Sequence, residues 1–361
     1  MVDIHTKYLL KAHNLANKNF GKTFPNPSVG CIIVKKNKII SQAVTASAGR
    51  PHAEEIAIKK AGSNSIGSTM YVTLEPCNHK SKNGSCTDQI INSGIKKIYI
   101  AKVDPDLRTN KKSIKKLKNK KIITKVGLTE EKTNNLNRFF FHSIKFKRPF
   151  IKVKMACSID NKIAWHNYKS KWISNAKSRS FAHQIRQRSQ AILTTSKTII
   201  KDNPRFTVRK KNKIIKYLPI IIIDKLLKIP LNCNLLKNLS RRRIIIFTTK
   251  KNIKYQKLKS IGCEVFEINK LNQKNEFNLN LIMKKIISLN INDILVEAGG
   301  IFFTKLLKQG LVDEVHLFKS RVFIGQYGKP MIINKNLEDF PLKKITKKKI
   351  GKDVYHHFLM K

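Results

Sequence analysis

The chain has 361 residues and a hydrophobic content of 41%, which is enough for two domains that each bury a core. No apolar stretch is long enough to span a membrane, and the N-terminus lacks a basic segment followed by an apolar core, so we expect a cytoplasmic protein with no membrane partner. The 74 Lys and Arg outnumber the 22 Asp and Glu and give a formal net charge of +52, which permits nucleic-acid binding through phosphate contacts. The lysines, however, are spread over the whole chain together with overused Asn and Ile, as A/T-rich codons produce, so nucleic acid is not expected as a partner.

The first part of the chain alternates between helical and strand patterns. In chain order these predict a helix over 8–17, strands over 29–34 and 39–44 joined as a hairpin, a helix from Pro51, a strand over 70–74, a helix over 88–92 and a strand over 97–101. Such alternation predicts a sheet covered by helices.

The alternation breaks over residues 139–149, and Phe150 to Met155 begins a new strand, so we place a domain boundary between residues 146 and 147. The second part repeats the alternation, with a predicted helix over 176–188 and strands over 191–193, 220–224, 244–248 and 294–297. Both parts are therefore predicted to be α/β domains.

Three separated residues, His52, Cys77 and Cys86, suggest a metal site. One imidazole and two thiolates can fill three positions of a zinc tetrahedron and leave the fourth for water. Glu54 follows the histidine by two residues and can carry protons without binding the metal. The pattern H-x-E followed by P-C is typical of zinc-dependent nucleobase deaminases.

The two cysteines are farther apart than in the general motif, because eight residues separate Cys77 from Cys86 instead of two. The alternative is a histidine and two core cysteines placed by chance. The flanking segments Pro51-His52-Ala53-Glu54 and Thr73-Leu74-Glu75-Pro76-Cys77 favour the zinc site. The remaining cysteines have no partner pattern and are expected in the core or in loops: Cys31, Cys157, Cys233 and Cys263.

Two further segments are informative, Pro25-Asn26-Pro27-Ser28-Val29-Gly30 and Ala48-Gly49-Arg50-Pro51-His52-Ala53-Glu54. Together with the long Cys–Cys loop, they resemble the bifunctional riboflavin-biosynthesis deaminase/reductase family. The resemblance extends over essentially the whole chain. It implies an α/β fold with two domains, a cytidine-deaminase-like α/β/α sandwich over 1–146 and a dihydrofolate-reductase-like domain over 147–361.

The resemblance also implies what the two domains do. The first would use Zn²⁺ and Glu54 to hydrolyse the 2-amino group of a diamino-ribosylamino-pyrimidinone 5′-phosphate. The second would use NADPH to reduce the ribose to the ribityl chain. A phosphorylated pyrimidine is thus the expected small-molecule substrate, and a homo-oligomer is the expected assembly.

In the second domain, the strand that ends in Glu297 runs through Ala298-Gly299-Gly300 into a helix, and such turns can present backbone amides to a phosphate. Glycine pairs also serve simple turns, and no G-x-G-x-x-G motif is present, so the turn alone does not identify a site. By resemblance, the residues that face the cofactor are Ala156, Trp172, Ser174, Thr198, Asp202, Gly299, Gly300, Ile301, Phe302, Phe303, Thr304 and Lys305. By the same resemblance, the residues that face the substrate are Ser170, Arg186, Phe206, Arg209 and Glu297.

Two loops of the first domain depart from the family pattern. The segment after Cys77 lacks the usual prolines, and Asp104-Pro105-Asp106-Leu107 replaces Asp-Pro-Asn-Pro. Because these loops are expected to hold the deaminase substrate, a reductase with a decayed deaminase domain stays open as an alternative. The net charge leaves a second alternative open, a nucleic-acid-binding protein or RNA-base deaminase on the same fold.

Overall fold

The computed structural model describes residues 3–79, 84–168, 172–269, 271, 275–333 and 342–360. The chain divides into two compact units, Met1–Arg148 and Pro149–Lys361. The predicted boundary lies two residues before this division. Within the described ranges, no helix combines the length and the apolar character needed to cross a membrane.

The first unit alternates helices with strands, largely where the sequence patterns predict them. Its elements are α1 (Ile4–Lys18), β1 (Gly30–Lys35), β2 (Lys38–Val44), α2 (Ala53–Ala61), β3 (Thr69–Val72), α3 (Cys86–Asn92), β4 (Lys97–Ile100), α4 (Lys112–Asn119), β5 (Ile123–Val126), α5 (Glu130–Leu136) and α6 (Arg138–Phe146).

The strands of this unit form one five-stranded sheet in the order β2-β1-β3-β4-β5. The predicted hairpin is present as the antiparallel pair β1–β2, whereas β3, β4 and β5 run parallel. Leu9 and Ala12 of α1 pack on one face of the sheet, and α2, α3 and α4 bury Ala57, Ile90 and Leu117 on the other. The unit is therefore the predicted α/β/α sandwich.

The second unit also alternates strands and helices. Its elements are β6 (Phe150–Cys157), β7 (Lys162–Ala164), α7 (Ala176–Gln187), β8 (Ala191–Thr195), α8 (Ser196–Asp202), β9 (Thr207–Lys210), β10 (Lys213–Tyr217), β11 (Ile220–Ile223), β12 (Ile244–Thr248), α9 (Ile253–Ser260), β13 (Glu264–Glu267), α10 (Leu279–Ser288), β14 (Asp293–Val296), α11 (Gly300–Lys308), β15 (Glu314–Lys319), β16 (Lys329–Pro330), β17 (Leu342–Ile350) and β18 (Asp353–Met360).

A nine-stranded sheet organises this unit, in the order β13-β12-β11-β8-β14-β6-β15-β18-β17. The strands from β13 to β15 run parallel, and β15, β18 and β17 pair antiparallel. Helices cover both faces, so the central strands are buried on both sides. In β11, Ile221 packs towards one face while Ile220 and Ile222 pack towards the other, as expected for a strand with an unbroken apolar run.

The strand β17 was not predicted. Its sequence, Lys343-Lys344-Ile345-Thr346-Lys347-Lys348-Lys349, lacks the alternation of apolar and polar residues that indicates a half-buried strand. Its side chains from 342 to 349 are exposed, and it lies at the end of the strand order. Pairing with β18 over the register Lys344↔Leu359 to Ile350↔Asp353 therefore holds it in place.

Candidate active sites

Three elements of the first unit bring the predicted metal ligands together. His52 is the N-cap residue of α2, Cys77 lies in the loop after β3, and Cys86 is the first residue of α3. The Ser85 side chain accepts a hydrogen bond from the backbone N–H of Asp88 at 3.1 Å. This cap begins α3 two residues earlier than predicted, which places Cys86 in the first helical turn.

The donor atoms of the three ligands converge within the sandwich. A ring nitrogen of His52 and the two Sγ atoms lie within 4.8 Å of one another, and both cysteines are buried. The Sγ atom of Cys86 is 3.3 Å from Nδ1 of His52. The backbone N–H of Cys86 donates to Sγ of Cys77 at 3.4 Å. Hydrogen bonding by Cys86 lowers the pKa of the Cys77 thiol to about 4, so Cys77 is a thiolate at neutral pH.

This donor set fits zinc. One imidazole and two sulfur atoms are among the ligands that zinc prefers, and catalytic zinc sites use three protein ligands. The residues that would hold the ion are therefore His52, Cys77 and Cys86.

Glu54 lies beside these ligands in the first turn of α2. Its side chain is buried, with 3% of the residue exposed. Burial raises the pKa of the Glu54 carboxyl, which makes the carboxylate a stronger proton acceptor near neutral pH. The site thus combines a metal-binding set with a buried base.

Glu75 has a role that sequence reasoning missed, although it belongs to the motif before Cys77. Its buried carboxylate accepts hydrogen bonds from the backbone N–H groups of Asp104 and Lys111, each at 3.1 Å, and from the Ser113 hydroxyl at 2.6 Å. Glu75 therefore fixes the loop over 104–113 to the segment that carries a metal ligand. The signal was a carboxylate two residues before the ligand, but its partners lie 29, 36 and 38 residues away in sequence.

Asp104 in that loop gives the first unit a testable pH dependence. Burial raises the pKa of Asp104 from 3.8 to about 7. The folded state therefore binds this proton more tightly than the unfolded state, and the stability should fall as the pH rises from about 4 to about 7. The full effect is roughly 4 kcal/mol at most.

We predict that Asp104→Asn removes this part of the pH dependence. Denaturant unfolding of the variant and the wild type at pH 5 and pH 8 measures it, with the variant gaining stability relative to the wild type at the higher pH. Equal changes in both proteins would show that the Asp104 proton is not linked to folding.

The second unit contains a cavity of about 1040 Å³ at the carboxyl ends of β6, β8, β11 and β14. Ligands commonly bind at this edge of an open α/β sheet. The predicted residues that line it are Ala156, Trp172, Ser174, Arg186, Thr198, Asp202, Phe206, Arg209, Glu297, Gly299, Gly300, Ile301, Phe302 and Lys305. Ser170, predicted to face the substrate, lies outside the described residues.

Phe303 and Thr304 were predicted to face the cofactor, but they do not line this cavity. Phe303 is buried in the core between α11 and the sheet. The Thr304 hydroxyl donates to the Gly300 carbonyl at 2.8 Å and accepts the Ile333 backbone N–H at 3.0 Å. The helical repeat turns these two side chains away from the cavity, so five of the seven residues from Gly299 to Lys305 line it.

The entry to α11 suits a phosphorylated cofactor. Gly299 is the N-cap residue of α11 and Gly300 its first residue, and the first amides of a helix favour anions. The cavity is also lined by an aromatic ring, since Trp172 is 68% exposed, and the Arg179 guanidinium lies over this ring, 4.1 Å from its centroid. The cavity size, helix terminus and aromatic ring fit a dinucleotide.

The two glycines should respond differently to a methyl group. A Cβ at Gly300 would lie 2.5 Å from the Pro330 carbonyl oxygen and 2.6 Å from that of Met331, whereas a Cβ at Gly299 meets nothing within 4 Å. We expect Gly300→Ala to lower the stability by about 1–3 kcal/mol. The matched Gly299→Ala should unfold like the wild type and raise the KM for the cofactor. Thermal unfolding and cofactor-dependent kinetics separate the two, and a stable Gly300→Ala protein would contradict the packing argument.

A charged cluster forms one wall of the cavity. Glu297 is 6% exposed, and its Oε2 atom is 2.9 Å from Nη2 of Arg186 and 3.0 Å from Nζ of Lys154, while Oε1 accepts from Nε of Arg186. Burial raises the pKa of Glu297, but the two cations outweigh it and hold this pKa well below its usual range. Sequence reasoning assigned no role to Lys154, which lies on β6, the strand next to β14.

Arg186 and Arg209, the two arginines predicted to face the substrate, differ in their partners. Arg186 is paired with Glu297 and also donates to the Thr207 carbonyl at 3.1 Å. Arg209 is half-buried at the cavity, and its Nε donates to the Thr207 hydroxyl at 3.1 Å. Arg209 has no carboxylate partner among the described residues, so it is the better placed of the two to neutralise a phosphate.

Comparison with known proteins finds a family for each of the two units. A family model described as the RibD C-terminal domain matches residues 149–355, and one described as the cytidine and deoxycytidylate deaminase zinc-binding region matches residues 2–102. The riboflavin biosynthesis protein RibD of Aquifex aeolicus is 38% identical over 327 residues, which cover 90% of this chain and 89% of the relative.

Solved structures extend the similarity to the whole fold. The structure of Acinetobacter baumannii RibD matches with a TM-score of 0.88 at 27% identity and covers 99% of both chains. A diaminohydroxyphosphoribosylaminopyrimidine deaminase/5-amino-6-(5-phosphoribosylamino)uracil reductase from Thermotoga maritima matches with a TM-score of 0.84 at 29% identity, again over 99% of both chains. The chain therefore belongs to the family of bifunctional enzymes that supply riboflavin biosynthesis with a zinc-dependent deaminase and a reductase.

Proposed function

We propose that the first unit hydrolyses the 2-amino group of a 2,5-diamino-6-ribosylamino-4(3H)-pyrimidinone 5′-phosphate, and that the second unit then reduces the ribose of the product with NADPH. The observation that carries the first step is the buried Glu54 carboxylate next to the imidazole and two sulfur atoms of the ligand cluster. A reductase that had lost its deaminase would not need this set to be retained.

In the first step, His52, Cys77 and Cys86 would hold a zinc ion, which lowers the pKa of a water molecule at such a site. Glu54 accepts a proton from the attacking water and delivers it to the departing amino group. A carbon–oxygen bond forms at C2 of the pyrimidinone, the carbon–nitrogen bond breaks, and ammonia leaves. The Glu75-anchored loop over 104–113 is our candidate for holding the substrate.

In the second step, the chemistry that NADPH would supply is a hydride to C1′ of the ribose. The C1′–O4′ bond breaks as the C1′–H bond forms, and O4′ takes a proton from water. The N-terminus of α11 and Trp172 would position the cofactor. Arg209 is our candidate for the substrate phosphate, since its charge has no carboxylate partner among the described residues. Glu297, held by Arg186 and Lys154, would orient the substrate rather than transfer a proton, because its depressed pKa keeps it ionised.

Separate assays of the two units test this proposal. Removing the metal with a chelator should abolish ammonia release from the diamino substrate and leave NADPH oxidation on the deaminated intermediate unchanged. Added Zn²⁺ should restore ammonia release. Ammonia release that persists in metal-free protein would overturn the first half, and failure to oxidise NADPH with the deaminated intermediate would overturn the second.

A further inference from the structure

The second unit contains a further group of side chains that could ligate a metal ion, namely Glu314, His316 and His357. Glu314 and His316 are two residues apart on β15, so their side chains lie on the same face of the sheet. His357 of β18 is the direct cross-strand partner of His316. The three side chains therefore converge on one face of the antiparallel pair.

The distances within this group are those of a compact ligand set. One potential ligand atom from each residue lies within 4.8 Å of the others. Nε2 of His316 is 3.4 Å from Oε1 of Glu314, and Nε2 of His357 contacts the same oxygen. The imidazole rings of His316 and His357 are stacked, with centroids 5.0 Å apart and planes inclined by 7°. Both histidines thus direct Nε2 towards one carboxylate.

The surroundings support a cation at this point. Glu314 and His316 are buried, while the side chain of His357 is 22% exposed and leaves a route to water. Nδ1 of His316 is 2.6 Å from the Tyr355 hydroxyl. Such a bond to the second ring nitrogen fixes the orientation of metal-binding histidines.

Two lysines of β6 that neighbour this group on the same face do not oppose a cation strongly, because each is paired with a carboxylate. Lys152, the cross-strand neighbour of Glu314, has Nζ 2.9 Å from Asp293. Lys154, the neighbour of His316, has Nζ 3.0 Å from Glu297.

We propose that Glu314, His316 and His357 bind a divalent first-row transition-metal ion that links β15 to β18. Two imidazoles and one carboxylate are a ligand set used for such ions in proteins. A hydrogen-bonded Glu–His–His group without metal is the alternative, and metal binding distinguishes the two.

The test uses the untagged full-length chain with Cys77→Ser and Cys86→Ser, which removes the thiolates of the first unit, and titrates it with Co²⁺. We expect one equivalent of Co²⁺ to bind, with visible d–d absorption and no sulfur-to-cobalt charge-transfer band. Adding His357→Ala should abolish this absorption. Tyr355→Phe should weaken binding by about 10–100-fold, as expected when the partner of a metal-binding histidine is lost.

His356→Ala is the matched control, because adjacent residues of a strand point to opposite faces and His356 stacks on Phe358 instead. It should bind Co²⁺ like the parent protein. Metal analysis of the protein with its cysteines intact gives a second readout that does not depend on those substitutions: two zinc ions per chain, and one after His357→Ala. A titration without visible absorption, or one zinc ion per chain in both proteins, would overturn the proposal.

Discussion

Replacing Glu54 with glutamine is expected to reduce the rate of ammonia release by about 10²–10⁴-fold. Glutamine keeps the size of the buried side chain but cannot accept the proton of the attacking water. Zinc content should stay at the wild-type level, because the metal ligands are His52, Cys77 and Cys86. NADPH oxidation on the deaminated intermediate should also be unchanged.

Glu55→Gln is the control for this prediction. Glu55 is the next carboxylate in the same helical turn, but it is only partly buried. We expect this variant to release ammonia at nearly the wild-type rate. If Glu54→Gln deaminated normally, or if Glu55→Gln were the inactive variant, the assignment of the proton carrier would be wrong.

The second large effect is expected from Glu297→Gln in the other unit. The substitution removes the negative charge between Arg186 and Lys154 and leaves two cations facing each other. Breaking a buried ion pair typically costs 3–5 kcal/mol, and we expect about 3 kcal/mol here because both cations retain some access to water. For a unit of this size, that corresponds to a decrease in Tm of about 6–12 °C.

Glu264→Gln provides a matched comparison, since Arg243 and Glu264 form another two-bonded pair of 2.7 and 2.9 Å, but at the surface. Exposed pairs contribute about 0–1 kcal/mol, so this variant should unfold within a few degrees of the wild type. The stability that the Glu297 ion pair contributes should also decrease in acid. The depressed pKa of Glu297 means that this contribution is present above the ordinary pKa of a carboxyl and is lost as the pH falls. Equal Tm values for the two variants would refute the difference in burial as the cause.

The parts of the fold and of the metal site that could be predicted are those with a local sequence pattern. His52 and Glu54 share one short motif, and the apolar run of β11 marks a buried strand in any context. The start of α3 was not predicted correctly, because it depends on the cap at Ser85. That cap places Cys86 in the first helical turn, where its backbone N–H donates to Sγ of Cys77.

Longer-range features were not accessible to pattern reasoning. The hydrogen bonds of Glu75 join segments 29 to 38 residues apart, and the pair formed by Lys154 and Glu297 joins segments far apart in sequence. The run from Gly299 to Lys305 was predicted as a whole, but the direction of each side chain depends on the helical phase. Phe303 therefore turned out to be a core residue.

The exposed position of β17 at the end of the nine-stranded sheet has a consequence for solubility. A strand with one unpaired side is a template on which another chain can add, which is a common origin of aggregation. Here the five lysines between residues 343 and 349 set a dense row of like charges along that rim. An identical strand approaching it would meet electrostatic repulsion, so these lysines also protect the edge of the sheet against self-association into fibrils.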